Sequence, residues 1–238
     1  MDHSVEIIKK YEPWLTHWIS EKDDGQADAI YRGFERTNGQ ILAWINSDDY
    51  YLPNVFYTVA RMFENKPAME MVAGTCLLLR PDGSVARKNY GLCQDFVSLV
   101  NVGMFGSQPA FFFRHLAYDA CGGIDRNLQF CMDYDLIIKM SKRCTPVVIS
   151  KPLAVYREHD ATKSAKMQKT LLVEDALIGL RYGRAVPGSE LLANIRENAW
   201  RKYYRRQRTQ FYLDIIRDPL HFFGVGLRKY LGRKRLAK

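Results

Sequence analysis

Apolar residues recur along this chain at two periods, and the periods alternate. Residues 4–11 carry their apolar positions at helical spacing, whereas 14–20 form a short apolar run that predicts a strand. Beyond Asp23-Asp24-Gly25, the residues Ala27, Ile30, Gly33 and Phe34 return to helical spacing, so 26–37 predicts a helix, and Asn38-Gly39 stops it. Residues 41–45 are an apolar run between turn formers, the pattern of a buried strand. Pro53 then opens a helix running to about Asn65. Residues 71–79, the turn Pro81-Asp82-Gly83-Ser84 and residues 85–90 predict strand, turn and strand. A buried strand over 110–113, a helix from His115, a break at Gly122-Gly123, a helix over 133–143 and a strand over 147–156 complete the body.

Strands alternating with helices predict an α/β fold with a mainly parallel sheet flanked by helices and one hairpin insertion. In open α/β sheets, ligands bind beyond the carboxyl ends of strands. Asp48 and Asp49 stand at such an end, directly after the most apolar strand.

Charge divides the chain. Residues 1–160 hold 17 Lys+Arg against 20 Asp+Glu, a net of −3, while residues 161–238 hold 18 against 6, a net of +12. The expected division is a globular domain over 1–160 and a helical basic tail over 161–238. No stretch approaches the ~20 apolar residues of a membrane-spanning helix, and the first ten residues are charged, unlike a signal peptide. The five cysteines, Cys76, Cys93, Cys121, Cys131 and Cys144, are odd in number and widely spaced. They read as small buried hydrophobes in a reducing compartment, not as a disulfide framework or zinc site.

Three short segments carry chemistry. Asn46-Ser47-Asp48-Asp49 sets two adjacent carboxylates at a strand end. They suit a hard divalent cation shared with phosphate oxygens, or equally a helix cap ahead of Pro53. Asp133 and Asp135 open a helix beside Gly122-Gly123, either as a cap or as a carboxylate base at the edge of a cleft. His159, in Tyr156-Arg157-Glu158-His159, sits at a strand end where it can complete a metal site or simply be exposed.

Taken together and in order, these segments resemble the inverting glycosyltransferases of family 2, with the GT-A fold. The strings are Ser-Glu-Lys-Asp-Asp-Gly-Gln-Ala-Asp-Ala-Ile, Ile-Leu-Ala-Trp-Ile-Asn-Ser-Asp-Asp-Tyr-Tyr-Leu-Pro, Gln-Pro-Ala-Phe-Phe-Phe-Arg, Gly-Gly-Ile-Asp, Met-Asp-Tyr-Asp-Leu and Tyr-Arg-Glu-His. The resemblance implies transfer of a sugar from a nucleotide-sugar donor to a saccharide or lipid-linked acceptor hydroxyl, with inversion, in polysaccharide or glycolipid synthesis. It makes Asp48 the principal ligand of Mg²⁺ or Mn²⁺ at the donor diphosphate, with Asp49 beside it and His159 as a further metal contact. Asn46 stands first in the family's Asp-x-Asp motif, and Gln26 and Asp28 lie in the segment lining the nucleotide pocket. Asp133 matches the general base, and Gln108 and Arg114 flank the acceptor side.

Family members usually open with a strand–helix–strand unit and an Asp-rich turn that grips the nucleotide. The start of this chain resembles the region just after that turn, so the expectation is a domain lacking its N-terminal part. The alternative reading is accordingly a catalytically inactive relative that serves as a binding or assembly module. The tail mixes Phe222, Phe223, Leu227 and Leu231 with Arg228, Lys229, Arg233, Lys234 and Arg235, which predicts contact with an anionic membrane surface, or else a solvated basic face. The expected location is cytoplasmic, peripheral at the inner membrane face. The acidic body and the lack of a nucleic-acid motif argue against nucleic-acid binding.

Overall fold

A computed structural model describes residues 3–89, 95–104, 106–159, 163 and 167–184. Six strands form one sheet: β1 (Ile41–Leu42), β2 (Tyr50–Tyr51), β3 (Met71–Leu79), β4 (Val85–Asn89), β5 (Phe111–Arg114) and β6 (Val147–Arg157). Their order is β1-β5-β3-β6-β2, with β4 paired to β3 away from that path. The helices are α1 (Ser4–Tyr11), α2 (Gln26–Glu35), α3 (Val55–Asn65), α4 (Phe96–Val102), α5 (His115–Ala120), α6 (Met132–Ser141) and α7 (Gln168–Arg181).

Period-two alternation sorts the strand side chains between two cores. Met71, Ala73, Phe111 and Phe113 face a core shared with Phe34 of α2, Tyr118 of α5 and Leu136 and Ile138 of α6. Val72 and Phe112 face the other side, where Val55, Val59 and Phe63 present one stripe of α3. A sheet covered by helices on both faces is the α/β architecture that the alternating pattern predicts.

The expectation of a mainly parallel sheet is corrected. Among the described strands only β3 and β6 pair in parallel, while β1–β5, β3–β5, β3–β4 and β2–β6 are antiparallel. The helical crossover through α3 does set β1 and β3 running the same way, as the pattern implies. β5 then inserts between them in the opposite direction, and local periodicity carries no information about such an insertion.

Two further expectations change. Residues 14–20 form no strand: a 3-10 turn covers Glu12–Trp14, and no described strand pairs with residues 15–20. A ladder needs a neighbour, and this segment leaves Trp14 exposed at 77%. The compositional break at residue 160 is also not a break in packing. Helix α7 lies beyond it, yet its Ile178 is fully buried in the same core as Leu136 and Phe113. Side chains on the inner face of α7 join that core whatever the net charge of the segment. The remainder of the basic tail, including 219–238, lies outside the described residues.

Candidate active site

The site grows from the end of β1. That strand is shorter than its apolar run because the carbonyl of Trp44 leaves the ladder. It accepts instead from the Gln108 amide at 2.6 Å and from the Tyr51 hydroxyl at 3.2 Å. The chain then turns through Asn46-Ser47-Asp48-Asp49, closed by a bond from the Asp49 N–H to the Asn46 carbonyl at 3.1 Å.

The two adjacent carboxyls do different work. Asp49 is buried, accepting from the Arg157 N–H at 3.0 Å and from the Asn46 amide at 3.3 Å. Burial pushes its carboxyl above the usual range, the neighbouring Asp48 adds to this, and the two hydrogen bonds oppose it. Asp49 thus staples the turn to the end of β6. Asp48 keeps its side chain 35% exposed and meets His159 Nε2 at 3.0 Å, and the Arg157 guanidinium donates to its carbonyl.

Asn46 connects this turn to the start of α2, its side-chain oxygen accepting from the Gln26 amide at 2.8 Å. Gln26 in turn accepts from Lys163 at 2.9 Å, and Lys163 also donates to the Gln129 carbonyl. Burial lowers the pKa of Lys163, while Glu174 and Asp133 act in the opposite sense. Across from Lys163, Asp133 stands half-buried in the first turn of α6 and accepts from the Tyr134 N–H at 2.8 Å. Burial pushes its carboxyl up to about 6, against the backbone hydrogen bonds and the charge of Lys163. A base poised near neutral pH suits proton abstraction from a weak nucleophile.

Three sequence-predicted residues have structural partners instead. Asp28 is 1% exposed, and each of its oxygens already has two donors. Oδ1 takes the Arg126 guanidinium at 2.5 and 2.8 Å, and Oδ2 takes Arg32 at 2.7 Å and the Asp24 N–H at 3.2 Å. Burial alone would raise the Asp28 pKa, yet these bonds and charges hold it below the usual range. No acceptor remains for a donor nucleotide, so Asp28 clamps α2 to the loop after α5. Arg114 donates to the Phe63 carbonyl at 3.0 Å and the Met69 carbonyl at 2.8 Å, capping α3 rather than facing an acceptor. Gln108 is buried behind Trp44, with no hydrogen-bond partner for its Oε1 among the described residues. Lys163 is the residue that sequence reasoning missed, because it reads there only as the first charge of a basic tail.

As a cation seat, the cluster offers Asp48 and His159. No group of three His, Cys, Asp or Glu able to hold a metal occurs among the described residues. Two protein ligands fit an octahedral ion that takes its other ligands from diphosphate oxygens and water.

The family model for glycosyl transferase family 2 matches residues 1–77, the stretch from α1 through the Asp48–Asp49 turn into β3. Similar solved structures include S. aureus TarS 1-349, at 13% identity and a TM-score of 0.53, covering 75% of this chain and 52% of that one. TarS 1-349 in complex with UDP superposes at a TM-score of 0.57 and 12% identity over 80% of this chain and 55% of that one. Its complex with UDP-GlcNAc gives 0.56 and 12% over 75% and 54%. At such identities the likeness is one of fold, the GT-A glycosyltransferase architecture. The chain spans about half the length of these structures. No curated protein matches it significantly. No helix among the described residues is long and apolar enough to cross a membrane.

Proposed function

We propose that this chain carries out the metal-side and base-side work of an inverting glycosyltransferase acting on a nucleoside-diphosphate sugar. The observation that supports this most is the division of labour at the strand end. Asp49 is fully engaged in holding the turn, which leaves Asp48 and His159 together at the rim as a two-ligand seat. A divalent ion bound there with a diphosphate would neutralise charge on the departing nucleotide. Lys163 lies close enough to Gln26 and Asn46 to add a second positive charge on that side. Asp133 takes the proton of the acceptor hydroxyl as it attacks, and a single displacement inverts the anomeric centre without a carboxylate nucleophile.

The TarS complexes make UDP and UDP-GlcNAc the first donors to try. The acceptor we propose is a saccharide or lipid-linked saccharide of cell-envelope polysaccharide synthesis, met at an anionic membrane surface by the basic residues of 219–238. The competing reading is a relative that no longer binds donor and serves in assembly.

Calorimetry separates the two. Mn²⁺ with UDP should bind the intact protein, Mn²⁺ alone should bind far more weakly, and Asp48→Ala should abolish the joint binding. Joint binding unchanged in Asp48→Ala would reject the metal seat, and no UDP binding at any Mn²⁺ concentration would favour the assembly module.

A further inference from the structure

Helix α7 reaches back into the body through a single carboxyl group. Glu174 is 7% exposed, and its two oxygens accept from three successive backbone N–H groups: Gln129 at 2.6 Å, Phe130 at 2.9 Å and Cys131 at 2.7 Å. Three converging N–H groups on one buried side chain make an anion-type nest filled from within the chain. The loop so held is the one on which the site depends. Cys131 is the N-cap of α6, two residues before Asp133, and the Gln129 carbonyl anchors Lys163. The Gln129 side chain also closes on the start of α2, where a Cβ added to Gly25 would lie 3.2 Å from its Oε1. Gly25 itself has φ 110°, so a side chain there is disfavoured on two counts.

Nothing local forces 129–131 into this shape. Cys131 offers no side-chain cap to α6, so the first N–H groups of the segment find their partner 43 to 45 residues away. α7 is tied down independently. Arg184, just past its end, donates to the Val100 carbonyl at 2.6 Å, to Asp175 at 2.5 and 2.9 Å and to the Tyr134 hydroxyl at 2.9 Å. Arg181 spans Asp125 at 2.9 Å and Asp135 at 3.1 Å. The carboxyl is therefore delivered by a fixed helix to a loop that lacks its own partners.

We propose that Glu174 is a positioning residue of the transfer reaction, holding the 129–131 loop so that Asp133 keeps its place beside Lys163. The inference rests on the proposed roles of those two residues. Glu174→Gln is the informative variant: it keeps the shape, but its NH₂ end cannot accept, so at least one of the three N–H groups is orphaned. Glu174→Asp keeps the charge on a shorter arm and serves as the conservative partner.

The first measurement is independent of catalysis. In NMR spectra of the full chain, the amides of 129–131 should exchange slowly and lie downfield, and the Asp133 carboxyl should titrate near its buried value. In Glu174→Gln the exchange should quicken by tenfold or more and the Asp133 midpoint should fall toward that of an exposed carboxylate. Glu174→Asp should fall between. In the transfer assay, Glu174→Gln should lower kcat by about 10- to 100-fold with donor KM within about twofold, as expected when a base is misplaced but binding survives. A lowered melting temperature with Asp133 titration and kcat unchanged would reduce Glu174 to a packing residue and overturn the proposal. If the intact protein shows no turnover, the proposed function fails, and the amide exchange and Asp133 titration still decide the role of Glu174.

Discussion

At the scale of single residues, the site is organised by how completely each carboxyl is used. Asp28 has no free acceptor, Asp49 is bonded into the turn, and Asp48 and Asp133 stay partly exposed. Asp133 gives the sharpest prediction. With its carboxyl near 6, transfer should rise with pH through that value and then level off, as the base becomes ionised. Asp133→Asn should remove that limb and lower turnover by roughly 10²–10⁴-fold, with donor affinity barely changed. The same residue links to stability with a definite sign. Its folded pKa lies above the unfolded value of 3.8, so the fold favours the protonated form. That favourable contribution is complete below pH about 4 and is lost as pH rises through about 6. The ionised group then costs the fold about 3 kcal/mol, and Asp133→Asn should be the more stable protein at pH 7.5 and close to the parent at pH 4. Paired thermal melts at the two pH values check this, and equal stability at both would mean that the carboxyl is not held in a desolvated place.

At the scale of elements, the parallel pair β3–β6 is the spine on which the site hangs, since the same β6 delivers Arg157 and leads into His159. That pair slips register between Ala73 and Cys76, where Gly74 lies against Leu153. A Cβ at residue 74 would sit 2.3 Å from Leu153 Cδ1, and Leu153 is fully buried in the α3-side core. Gly74→Ala should therefore destabilise the fold by about 1–3 kcal/mol through overpacking. Combining it with Leu153→Val should recover part of that loss, because the two changes share one space. Chemical denaturation of the two singles and the double would show it, and simple additivity would refute the close approach. Elements of this kind are partly legible in the amino-acid sequence. α2 and α3 are set by periodicity because each buries one stripe, Ala27 and Phe34 in α2 and Val55, Val59 and Phe63 in α3, whereas α1 keeps helical spacing without burying a residue. Residues 14–20 are not set this way, because an apolar run becomes a strand only when another strand is there to bond it.

At the scale of the whole molecule, the chain does not divide where its charge does. α7 belongs to the body through Ile178 and Glu174, so ending the chain at residue 166 should open the core around Leu136 and lower the melting temperature by many degrees. Deleting only 219–238 should leave the melt unchanged and release the protein from anionic vesicles, with the bound fraction also falling as salt rises. A large loss of stability from the shorter deletion would make that segment part of the fold. By itself, the amino-acid sequence determined the α/β class, the turn that carries Asp48 and Asp49, and Asp133 at the opening of its helix. Each of these depends on local periodicity or on neighbours a few residues away. Only the tertiary structure decided that β5 runs against its neighbours and that Asp28 and Arg114 serve as clamps. It alone brought Lys163 and Glu174 to the site. Those outcomes depend on donors and acceptors that meet across 34 to 137 residues, and no spacing along the chain encodes which of them find each other.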